Sequence, residues 1–196
     1  MRTFSQIYAL PNSRSITMHQ RLHLRLQQLE SATERLIQSA ETLGDQSHQS
    51  PGLGQWSAAQ VVQHLLVSET GINQYLEKKV MAAEGLLHAG VGHFLRSRLL
   101  RLLLRVPFLR FKVPPMLAAN TPATAPPLPE LRQQWASVRR RLEHILSEYP
   151  DHLLRRAIFK HPRSGMLTIT QTLDFMLDHV LHHQRQMERI SKAMKK

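Results

Sequence analysis

The sequence predicts an all-α protein, a four-helix bundle whose second connection is a long, Pro-rich crossover. Three observations carry this expectation. Apolar residues recur at helical spacing in four segments, two of those segments open on complete helix-start signals, and seven of the eleven prolines fall within residues 107–129. A chain of 196 residues with 42% hydrophobic and 20% charged content suits one globular domain, and its zero cysteines exclude disulfides, thiolate metal sites and cysteine nucleophiles. The expected organisation is a flexible lead-in over residues 1–19, which holds no apolar run suited to secretion, and one bundle domain over 20–194. A cytoplasmic location follows as an expectation.

Helix one is read over residues 20–43, where Leu22, Leu26, Leu29, Leu36 and Leu43 alternate spacings of three and four with small Thr33 and Ala40 between them. Gly44 stops it, and DQSHQSPGLG reads as a loop. Helix two starts at Ser57, which with Gln60 forms a capping box, while Trp56 is placed to staple onto Val61. Its inner stripe collects Val61, His64, Leu65, Ser68, Ile72 and Tyr75, so one histidine lies among apolar neighbours.

After Glu84 the chain becomes basic and amphipathic, with Arg96, Arg98, Arg101, Arg105 and Arg110 interleaved with leucines, and then enters the proline-rich crossover, where neither a regular helix nor a central strand is possible. Helix three starts near Pro129 and carries Leu131, Trp135, Val138, Leu142 and Ile145 inward before ending ahead of Pro150. A turn at HPRSG, residues 161–165, leads to a second capping box, Thr168 with Gln171, and helix four runs to about Ser191. No strand-like alternation competes with these segments.

Twelve histidines are many for this length, and imidazole is the commonest metal ligand. Angular placement on helix four sets His179 and His183 at the flank of a face built from Leu173, Met176, Val180, Met187 and Met194, and sends His182 toward solvent. Imidazoles four residues apart can share one divalent ion, and His64 on the inner stripe of helix two can supply a third nitrogen. Three neutral nitrogens leave a coordination position open, as catalytic sites require. The same pair also fits ordinary buried histidines unless the fold brings helices two and four together.

The run Trp56-Ser57, Val61 and His64-Leu65, followed by His161-Pro162, Gly165, Leu167-Thr168, Phe175, His179, His183 and Gln186, resembles the DinB-like superfamily, in its branch of metal-dependent hydrolases. The resemblance implies a four-helix bundle with a three-histidine site for nickel or zinc, formed here by His64, His179 and His183. It further implies a small-molecule substrate, hydrolase or thiol-dependent transferase chemistry with a low-molecular-weight thiol, and a homodimer.

No catalytic residue is assigned. Gln60, Glu69, Asp174 and Asp178 are candidates for supporting a ligating imidazole, although the sequence favours a surface position for each. His161 is read as local turn structure, Met166, Met176, Met187 and Met194 as core filler, and Trp135 as a core anchor. The +12 charge and the arginine run of residues 96–112 offer the rival expectation of a non-enzymatic bundle that binds nucleic acid or an anionic membrane.

Overall fold

The computed structural model describes residues 13–82, 86–88, 92, 98–99, 102, 124–162 and 164–195, with side chains from residue 20. Four long helices dominate it: α1 (Ser13–Glu41), α2 (Ala58–Met81), α3 (Leu128–Ser147) and α4 (Ile169–Met194). α1 packs chiefly along α4, and α2 chiefly along α3, with α1–α3 and α2–α4 contacts closing the bundle. The predicted stripes form its core: Leu22, Leu26, Leu29 and Leu36 from α1, Val61 and Leu65 from α2, Leu131, Trp135 and Leu142 from α3, and Leu173, Met176, Val180 and Met187 from α4 are all buried.

Both capping boxes form. Ser57 Oγ accepts from the Gln60 amide at 3.2 Å while Gln60 Oε1 accepts from the Ser57 amide at 2.9 Å. The same reciprocal pair joins Thr168 and Gln171. Each box satisfies two amide donors that the first helical turn leaves without an intrahelical acceptor, so the two helices that carry the histidines start at defined residues.

Three elements differ from expectation. α1 begins at Ser13, inside the segment read as a lead-in, and ends at Glu41; a short 3-10 turn over Gly44–His48 occupies part of the following loop. α4 continues to Met194. A two-stranded antiparallel hairpin, β1 (Phe159–His161) with β2 (Gly165–Leu167), frames the turn before α4. Strands of three residues are too short to display the alternation that sequence reading depends on. Gly165, at φ +77°, takes the left-handed conformation that closes this turn, which a side chain would strain. The arginine-rich segment, residues 96–112, lies outside the described residues apart from Arg98, Leu99 and Leu102, which are exposed. Among the described residues no helix is long and apolar enough to cross a membrane.

Candidate metal centre

The two helices with boxed starts bring three histidines together. His64 comes from α2 one turn beyond its capping box, and His179 and His183 come from α4 at a spacing that stacks them on one face. One ligand atom from each of the three lies within 4.8 Å of the others. The ring centroids are separated by 5.3 Å for His64–His179, 5.0 Å for His64–His183 and 4.8 Å for His179–His183. The Nε2 atoms of His179 and His183 are 3.2 Å apart. Three nitrogens at ordinary zinc–nitrogen distances around one tetrahedral ion sit about 3.4 Å from one another, so the cluster has the right scale for a single cation.

The surroundings keep the rings neutral. Burial holds His64 well below its usual 6.5, at about 4. Burial first, and then the neighbouring His64 and His182, hold His183 at about 3 against a weaker opposing effect of Gln186. His179 is driven well below its usual value by burial and then by the other rings. A neutral imidazole keeps a lone pair for a metal, which a protonated one does not. The donor set, three uncharged nitrogens and no thiolate, therefore fits a borderline divalent ion.

Aromatic rings and one amide enclose the cluster. Trp56 lies 4.9 Å from His64 between ring centroids, and Phe175 stacks on His179 at 5.5 Å with 13° between planes. Trp56 thus walls the site, a role that the sequence had given to a staple on Val61. Phe175 precedes His179 by four residues, a spacing that could have identified it. Gln186 Oε1 sits 2.8 Å from His183 Nδ1.

Other candidates fall differently. His161 is buried, its ring lies 4.5 Å from that of Phe175, and its Nδ1 accepts from the Ser164 amide at 3.1 Å, which anchors the hairpin turn as its local reading required. His182 is half-buried with its ring 5.3 Å from that of His183, and so does not point freely to solvent. Gln60 serves the α2 capping box, and Asp174 pairs with Arg25 at 2.9 Å. Asp178 and Glu69, expected at the surface, are buried.

Glu69 belongs to a second polar cluster that sequence reading missed. Its Oε2 accepts from Trp135 Nε1 at 2.8 Å and from Arg139 Nη2 at 2.9 Å, and Arg139 Nη2 also donates to Thr33 Oγ1 at 3.0 Å. Burial raises the Glu69 pKa and lowers that of Arg139, and the attraction between the two opposes both shifts. Arg139 lies one residue after Val138 on the inner edge of α3, where a three–four count of apolar residues passes over it.

A count of helices alone does not identify a family, but this bundle sets three imidazoles on its second and fourth long helices close enough together that they could hold a metal ion. The family model of the DinB superfamily matches residues 28–187, and the chain belongs to that superfamily. The fold is similar to the solved structure of YfiT from Bacillus subtilis, described as a probable metal-dependent hydrolase with an unusual four-helix bundle topology. That match has 17% identity and a TM-score of 0.55, and it covers 98% of this chain and 94% of that one. No curated protein matches the chain.

Proposed function

We propose that the protein is a metal-dependent hydrolase of small molecules, in which His64, His179 and His183 hold one divalent ion, nickel or zinc. The observation that carries this reading is the convergence of three neutral imidazoles from two helices within 4.8 Å. When bound, the ion supplies a Lewis acid with a coordination position left free by its three protein ligands. The chain's own contribution is placement: the two capping boxes fix where α2 and α4 begin, the helical spacing of His179 and His183 sets their rings side by side, and Trp56 and Phe175 pack against the rings of His64 and His179. The description of YfiT as a probable metal-dependent hydrolase supports the same reaction class.

Thiol-dependent transfer is the competing chemistry at the same site, and omitting or adding a low-molecular-weight thiol in a substrate screen separates the two. A homodimeric state belongs to the proposal through the family resemblance, and cytoplasmic residence belongs to it as the expectation drawn from the sequence. The decisive measurement is the metal content of untagged protein, compared among wild type, His64→Ala and His183→Ala. About one equivalent in wild type and loss in both variants is expected. Equal metal in all three would remove the reading.

A further inference from the structure

The amide of Gln186 meets His183 on the side of the ring away from His179. Gln186 Oε1 is 2.8 Å from Nδ1, whereas His183 Nε2 is the atom that faces His179 Nε2 at 3.2 Å. An amide oxygen only accepts hydrogen bonds, so with this orientation the proton of the neutral His183 ring resides on Nδ1 and its lone pair on Nε2. We infer that Gln186 is a positioning residue that fixes His183 in its Nδ1–H tautomer and so presents Nε2 to the centre of the cluster before any metal arrives.

The consequence extends to the neighbouring ring. Two nitrogens 3.2 Å apart make a hydrogen bond when one donates and the other accepts. With the His183 lone pair on Nε2, the donor is His179, whose neutral ring carries its proton on Nε2 in the metal-free protein. His183 is thus preset for coordination and His179 is not. For His179 to ligate through Nε2, its proton must move from Nε2 to Nδ1, a shift within one ring that leaves its charge unchanged. The opposite amide orientation, with Gln186 Nε2 donating to Nδ1, would put a proton on His183 Nε2 and turn that ring away from coordination. The helix repeat places Gln186 three residues after His183 on the same face of α4, so the contact costs no special backbone geometry.

This inference rests on the proposed metal reading for its purpose but not for its test. Nitrogen-15 NMR of the full-length, metal-free protein reads the tautomer of each ring directly. The expected spectrum shows His183 protonated at Nδ1 and His179 at Nε2; His183 protonated at Nε2 overturns the inference, whether or not the protein binds metal. Competition titrations with zinc(II) and a chromophoric chelator form the second arm. Gln186→Met, which keeps the length but not the acceptor, is expected to weaken zinc binding by about 10–100-fold, and Gln186→Glu, which keeps an acceptor oxygen, to retain it. A Gln186→Met protein that binds zinc as tightly as wild type contradicts the positioning role. Failure of the wild type to bind either zinc(II) or nickel(II) rejects the proposed function and leaves the tautomer measurement to decide this one.

Discussion

α2 carries two buried polar clusters five residues apart, built on opposite principles. At His64 three rings converge, and burial suppresses their protonation. At Glu69 opposite charges meet, joined by Trp135 and Thr33 hydrogen bonds. The second cluster pairs its charges internally and ties α1, α2 and α3 to one another, although Glu69 Oε1 and Arg139 Nη1 are buried without a hydrogen-bond partner. The first gathers neutral rings that bring no charge of their own, an arrangement that makes sense for an external cation. Burial alone therefore does not separate structural from functional polar groups; what separates these two is whether opposite charges meet within the cluster.

The largest effect expected from this contrast is at the charge-paired cluster. Arg139→Leu leaves the Glu69 carboxylate buried without its counter-charge and should cost about 3–5 kcal/mol in denaturant unfolding, while the double variant Glu69→Leu with Arg139→Leu recovers a large part of that loss. Zinc bound per folded molecule should be unchanged, and a loss of metal proportional to the loss of stability would show that the two clusters are not independent.

The histidine cluster responds to pH instead. An unfolded histidine titrates near 6.5, whereas His64 in the fold is held at about 4. Between these values the unfolded chain binds the extra proton, so the stabilising contribution of the neutral ring is complete above 6.5 and is lost as pH falls toward 4. Metal-free protein should lose up to about 1.4 kcal/mol per pH unit for each such ring across that window, and His64→Leu should flatten the profile, as measured by thermal unfolding in a pH series. An unaltered profile in the variant would mean that His64 is not the group responsible.

The smallest effect concerns charges at the surface. Arg132 bridges Glu34 and Glu41 at 2.9 Å, with all three side chains more than a third exposed. Arg132→Ala should cost less than about 1 kcal/mol, and the difference should shrink further in high salt. A larger, salt-independent loss would place this trio with the Glu69 pair rather than outside it.

Much of this was legible in the chain. The spacing of Leu22 to Leu36 and the Ser57–Gln60 and Thr168–Gln171 boxes identify the helices, because these signals act over one or two turns, whereas the proline-rich crossover before residue 124 lies outside the described residues. His64, His179 and His183 were placed on inward faces by angle alone. Glu69, Asp178 and Arg139 were not recognised as buried, since a charged side chain enters a core only when a partner from elsewhere compensates it, and the partner of Glu69 lies seventy positions later. The hairpin beside His161 was missed because its strands are shorter than one readable period.

The amino-acid order by itself determined where α2, α3 and α4 begin and that His64, His179 and His183 face the bundle, since both depend on neighbours within a few residues. Tertiary structure alone decided that the rings of α2 and α4 meet, that Phe175 and Trp56 cover them and that Glu69 finds Arg139. An angle about one axis follows from the helical repeat, whereas the distance between two faces depends on how the side chains of all four helices pack, and that packing is a property of the whole bundle.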